Sequence, residues 1–375
     1  MKTSQSEPTE SANGLDQLLK PRPVRRLLAI DGGGVRGAIP IGVLSRIEQV
    51  LRDRTGRPGL VLADYFDFIG GTSIGAVIAA ALSTGLSLDE VRSFATENLS
   101  RFFQPASIWK RFRHKYSAEG LNQCLIENFG EVELGSSKLK TLVMIVLRNA
   151  STDSPWIVTN NPLAKYNDAS RLDCNLRLPL WQLLRGSAAA PTFFPCERIR
   201  LDANDFQFVD GAGTIANNPA FQLFLQATLP AYGLKWPTGP DKMLLISVGT
   251  GGVPTPNTAD AHFFANALAQ IKCLSAGATI EQDLLCRLLG RCLCGDPIDR
   301  ELGDLIRAEF AWPAQFTYCR YNAELSAAML GALGHRRSPA RFHTLDNTSA
   351  FAELLALGES IGSARVRPEH FDGFV

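Results

Sequence analysis

Twice in this chain an apolar run breaks off into glycine and then turns into helix. Arg26 to Ile30 (RLLAI) stops at Asp31-Gly32-Gly33-Gly34. A helix follows, with Pro40 near its first turn and Ile39, Val43, Leu44, Ile47, Val50 and Leu51 at helical spacing. Phe66 to Ile69 stops at Gly70-Gly71-Thr72-Ser73, and an alanine-rich helix follows over Ile74 to Leu82. Strand and helix alternate, and glycines sit where strands end, the pattern of a sheet layered between helices. Leu142–Leu147 (LVMIVL) and Leu244–Val248 (LLISV) are unbroken apolar runs, as strands covered on both faces must be. The expected class is α/β, a layered sheet with helices on both faces.

Residues 1–24 read as a flexible tail ending in Pro21-Arg22-Pro23, and 25–252 as the strand–helix core. Residues 253–375 read as a mostly helical C-terminal extension packed on that core and available for regulation. It would hold a helix over Ala259–Leu289, a break at Gly295-Asp296-Pro297, a strand over Phe316–Arg320 and a helix over Phe351–Ile361. Charge narrows the function: 38 basic against 37 acidic side chains leave +1, whereas domains that grip a nucleic-acid polymer run strongly basic. The opening MKTSQSEPTESANGLDQ has no apolar core for a signal peptide. The longest apolar stretch, Gly75 to Leu88, is broken at Ser83, Thr84 and Ser87, short of the roughly 18 residues that a membrane helix needs. The eight cysteines are scattered, only Cys292 and Cys294 being close, which suits reduced thiols and no metal. A cytoplasmic protein that meets a membrane from outside is expected, with its oligomeric state open and a homo-oligomer allowed.

Three motifs carry chemistry. Asp31-Gly32-Gly33-Gly34-Val35-Arg36-Gly37 joins a strand to a helix and is an anion cradle, since glycine admits close approach and the helix start presents N–H groups. A dinucleotide site would need an acidic residue about twenty positions on, at a strand end. Asp53 has the spacing but lies in the charged end of a helix, and Asp64 comes too late. Gly71-Thr72-Ser73-Ile74-Gly75 has the form of a nucleophile elbow, with glycines relieving a crowded turn and the Ile74 N–H free for an oxyanion. Phe206 to Ala212 is an alternating strand that delivers Asp210 onto the turn Gly211-Ala212. Of five histidines, His114 sits in a basic stretch and four follow the core. Order alone leaves His262, His335 and His343 open as triad partners, although none stands at a strand end before a glycine turn.

In that order, DGGGVRG, GTSIG, Ser187-Ala-Ala-Ala-Pro191-Thr-Phe-Phe-Pro195 and Asp210-Gly-Ala212 with Asn217-Asn218-Pro219 resemble the patatin-like phospholipases over residues 25–252. The resemblance implies a serine–aspartate dyad without cofactor, Ser73 the nucleophile and Asp210 its base, acting on phospholipid at a membrane surface. It implies an oxyanion hole from Gly32, Gly33, Gly34, Arg36 and Gly37, beside Ile74, with the N–H groups of Gly33 and Gly34 its main donors. Gly71 and Gly75 would shape the elbow, and Gly211 and Ala212 the turn of the base; Ala212 replaces a glycine common in the family. Arg36 could also orient a lipid phosphate. Two rivals are a dinucleotide-binding oxidoreductase, which leaves Ser73 and Asp210 unexplained, and a non-catalytic patatin-fold binding protein, against which their retention weighs.

Trp109 and Phe112, interleaved with Lys110, Arg111 and Arg113, suit an anionic bilayer surface, here the inner membrane, or equally a packed helix with a solvated basic face. The layout, a core followed by about 120 further residues, is similar to the bacterial patatin-like effectors of anti-phage signalling, the CapV type. That resemblance implies activation by a cyclic dinucleotide such as cyclic GMP-AMP, followed by degradation of the membrane.

Overall fold

The computed structural model describes residues 18–107, 113–253 and 263–375, with side chains from 273 onward in the last segment. At the centre of one sheet lies β1 (Arg25–Ile30), flanked in parallel by β2 (Phe68–Thr72) and β7 (Met243–Val248). β3 (Leu142–Asn149) runs parallel beyond β2, with β4 (Ser154–Thr159) antiparallel on its outer edge. β5 (Glu197–Leu201) pairs antiparallel with β6 (Asn204–Asp210), which pairs antiparallel with β3. On the other flank β9 (Phe316–Tyr321) follows β7 and β8 (Gly290–Cys294) follows β9, both parallel. The α/β layered class expected from the sequence is the observed one.

The unbroken apolar runs have their reason here. In β1, Leu28 and Ile30 enter one buried cluster while Leu27 and Ala29 enter another. β3 divides the same way, with Val143, Ile145 and Leu147 against Leu142, Met144 and Val146. Alternate side chains point to opposite faces, so both must be apolar when helices cover both. One face carries α1 (Ala38–Thr55), α2 (Leu62–Tyr65), α3 (Ile74–Ser83), α4 (Leu88–Phe102), α5 (Glu119–Phe129) and α6 (Leu180–Ser187). The other carries α7 (Ala220–Thr228) and the far end of α8 (Phe263–Leu289).

Beyond α8, α9 (Ala327–Ala332) precedes α10 (Phe351–Arg365), which lies on α1 at a glycine crossing: a Cβ on Gly358 would stand 2.2 Å from the Ile39 carbonyl oxygen. The sequence reading needs adjustment at three places. β2 starts at Phe68 and runs on through both glycines, because Gly70 and Gly71 pair with Met144 and Ile145 of β3. The tail is docked from residue 18, where Leu18 is buried and Arg22 Nη1 meets Asp67 Oδ1 at 2.8 Å. The C-terminal extension, expected to be mostly helical with one strand at Phe316–Arg320 and packed on the core, supplies two strands, β8 and β9, to the sheet itself.

Candidate active site

β3 brings the site together. β2 runs parallel along one of its edges and ends with Thr72 opposite Val146; β6 runs antiparallel and ends with Asp210 opposite Leu147. β4 occupies the other edge over both stretches, so β2 and β6 lie on the same edge with their C-terminal ends facing. The residue after Thr72 is Ser73, held at φ 55° and ψ −125° at the start of α3. Such backbone costs a non-glycine residue of order 1–3 kcal/mol and throws its side chain out of the strand–helix turn. Ser73 Oγ donates a hydrogen bond to Asp210 Oδ2 at 2.7 Å, and both residues are buried.

Each partner is fixed by its surroundings. The Ser73 N–H donates to Ser187 Oγ at 2.9 Å, and Ser187 Oγ donates to the Val146 carbonyl at 2.7 Å. Asp210 Oδ1 accepts the Ala212 N–H at 2.8 Å, and the Asp210 N–H donates to the Ala189 carbonyl at 3.1 Å. Burial pushes the Asp210 carboxyl up to about 6, against the opposing hydrogen bonds from Ala212 and Ser73. Sequence reasoning missed Ser187, because nothing in a run of small residues marks which hydroxyl will meet a backbone 114 positions away.

The glycine loop leaves β1 beside Ser73, where a Cβ on Gly32 would stand 3.3 Å from the Ser73 Cβ. Of its N–H groups, those of Gly33 and Gly34 have no hydrogen-bond partner among the described residues, and neither does that of Ile74 at the start of α3. A helix start and two unpaired amides are suited to a developing negative charge. Gly34 has φ 58°, and a Cβ there would stand 2.3 Å from the Leu345 carbonyl oxygen. Gly37, Gly71, Gly75 and Gly211 stand where a Cβ would come within 2.1–2.6 Å of a neighbour.

Two residues assigned to the oxyanion hole are corrected. The Gly32 N–H donates to the Asn217 carbonyl at 3.2 Å and the Arg36 N–H to the Gly33 carbonyl at 3.2 Å, so neither amide is available. The Arg36 guanidinium is half-buried, donates to the Gly251 carbonyl at 3.1 Å, and leaves its Nε unpaired. Burial draws its pKa down to about 10, with Asp31 opposing.

The described histidines lie elsewhere. His335 meets Ser360 Oγ at 3.1 Å, His343 the Leu325 carbonyl at 3.1 Å and His370 the Tyr321 hydroxyl at 2.8 Å. His114 has no hydrogen bond to Ser73 or Asp210, and His262 lies outside the described residues. So do Trp109, Lys110, Arg111 and Phe112 of the basic–aromatic stretch; Arg113 is exposed, while neighbouring Lys115 is paired with Asp346. All eight cysteines are free thiols. Among the described residues no cluster of His, Cys, Asp or Glu could hold a metal, and no helix is long and apolar enough to cross a membrane.

A buried carboxylate bonded to a strained serine, beside unpaired amides, is equipped for acyl transfer. Comparison with known proteins bears on the same segment. Residues 28–224 match the family model of patatin-like phospholipases. Patatin group D-3 of Solanum tuberosum is 33% identical over 241 residues, covering 60% of this chain and 60% of that protein. Patatin-17 of Solanum cardiophyllum is 33% identical over 242 residues with the same coverage. The chain thus spans 60% of the length of these relatives. Among solved structures, VipD of Legionella pneumophila matches with TM-score 0.37 at 12% identity, over 89% of this chain and 67% of that one. Human GIVD cytosolic phospholipase A2 matches with TM-score 0.35 at 13% identity, over 93% and 63%.

Proposed function

The chain belongs to the patatin-like phospholipase family, and from that premise we propose that it hydrolyses phospholipid acyl esters with Ser73 as nucleophile and Asp210 as general base. The observation that carries this reading is the 2.7 Å hydrogen bond from Ser73 Oγ to Asp210 Oδ2 inside a buried site. Aspartate is far less basic than a serine alkoxide, so Ser73 is not deprotonated in advance; its proton passes to Asp210 as Oγ bonds to the ester carbonyl carbon. Raising the carboxyl to about 6 narrows that mismatch. The carbonyl oxygen becomes negative and takes the N–H groups of Gly33, Gly34 and Ile74. Collapse breaks the ester bond, and the alcohol of the lysolipid leaves with the proton from Asp210. Water then attacks the acyl-serine, Asp210 takes its proton and returns it to Ser73 Oγ, and a fatty acid is released.

The dinucleotide reading has less support. β2 ends in Thr72 and is followed by Ser73, with no carboxylate at that strand end to meet a ribose, and Asp53 instead accepts from Gln49 on the surface of α1. Activation by a cyclic dinucleotide and action at the inner membrane are finer parts of the proposal, carried by the layout of the chain. One assay tests the whole: phospholipid vesicles with and without cyclic GMP-AMP. Ser73→Ala is expected to abolish fatty-acid release while leaving the melting temperature within a few degrees. Full hydrolysis by Ser73→Ala would sink the dyad, and turnover indifferent to the nucleotide would remove the effector role.

A further inference from the structure

The family match ends at residue 224, yet the carboxylate that opens the glycine loop is held from far beyond it. Asp31 follows β1 directly and is 2% exposed. Its Oδ1 and Oδ2 accept Nη1 and Nη2 of Arg320 at 2.7 and 2.5 Å. Arg320 lies in β9, is itself 2% exposed, and donates from Nη1 to Ser247 Oγ in β7 at 2.7 Å. Ala29, Ser247 and Arg320 are in register across β1, β7 and β9, so the guanidinium reaches over β7 to the residue two beyond Ala29 on the same face.

The end of β9 holds the other support of the loop as well. Asn322 Oδ1 accepts the Gly251 N–H at 2.9 Å, which sets the 249–251 turn. From that turn Thr250 Oγ1 donates to the Gly32 carbonyl at 2.7 Å, and the Gly251 carbonyl accepts from Arg36. A two-pronged guanidinium–carboxylate contact fixes both position and plane, which a single charge contact does not. A buried ion pair is a poor source of stability, since apolar replacements of similar volume are often as stable. Its use here is geometric.

We propose that Arg320 is a positioning residue for the reaction: by clamping Asp31 it sets the glycine loop so that the amides of Gly33 and Gly34 face the oxygen of an ester held at Ser73. This inference deepens the hydrolase reading and rests on it.

Arg320→Met leaves a buried unpaired carboxylate and can fail to fold, so the decisive variant is Asp31→Asn with Arg320→Met, which removes both charges. Arg320→Lys keeps the charge and loses the fork. Each is assayed on short-chain phospholipid, with rates per serine counted by stoichiometric fluorophosphonate labelling. In the double variant kcat is expected to stay about 10²-fold low with KM little changed, the size of loss that misplaced reacting groups produce. Amides of residues 31–37 are expected to exchange with deuterium at least about tenfold faster than in the parent protein, those of residues 243–248 at parent rates. Arg320→Lys should fall between. Parent kcat in the double variant, or unchanged exchange over 31–37, would overturn the proposal. A Ser73→Ala control in the same assay separates the two readings: its continued hydrolysis would refute Ser73 as the nucleophile, and the exchange data would still decide whether Arg320 sets the glycine loop.

Discussion

Burial lifts the Asp210 carboxyl to about 6 from an ordinary 3.8, and two hydrogen bonds that favour the charged form only partly offset this. A general base must be ionised in the free enzyme, so kcat/KM is expected to rise with pH through about 6 and then level off. A pH-rate profile without that limb would remove Asp210 from the role. For stability the sign is reversed. The folded state holds this proton more tightly than the unfolded chain, so the contribution is full below about pH 4 and lost as pH rises through about 6. At neutral pH the carboxylate therefore costs up to about 3 kcal/mol, from about two pH units at 1.36 kcal/mol each. Asp210→Asn should abolish turnover while raising the urea midpoint. The Ser73 elbow is marked locally by its strand end and glycine spacing, whereas Asp210 is marked only as an aspartate on a glycine turn, and its role as base is what the family resemblance implies. The loss of the Gly32 amide has no local mark, since the Asn217 carbonyl that takes it arrives from another part of the chain.

The elbow depends on two elements touching through a glycine. A Cβ on Gly75 would stand 2.4 Å from the Ile30 carbonyl oxygen and 2.6 Å from that of Asp31, so α3 can start against the end of β1 only if residue 75 is bare. Both opposing atoms are backbone and cannot swing aside. Gly75→Ala should therefore cost about 1–3 kcal/mol and shift Ser73 relative to the glycine loop. Thermal unfolding and kcat should fall together, and a variant with parent kcat would show that the approach of α3 to β1 does not matter. Most elements were readable from apolar period and glycine stops. The meeting of β2 and β6 on one edge of β3 was not, because an antiparallel return after two intervening strands leaves no mark in either strand's own residues.

The molecule closes only with its last third. β9 covers the edge of β7, and α10 buries Leu354, Leu357 and Ile361 in the cluster that it shares with α1. A chain cut to residues 18–252 would expose that strand edge and that helix face, so it is expected to aggregate or to unfold without a cooperative transition. A soluble, cooperatively melting 18–252 fragment would show the core to be independent. The sequence by itself determined the α/β class and the two glycine junctions, because burial on both faces and tight turns restrict residue type at each position, and it singled out Ser73 and Asp210 as candidates. Tertiary structure alone decided which amides stay free, that Ser187 braces the serine, and that Arg320 reaches Asp31 across 289 positions. Those depend on which distant backbone and side-chain groups come within about 3 Å, and no local pattern encodes that.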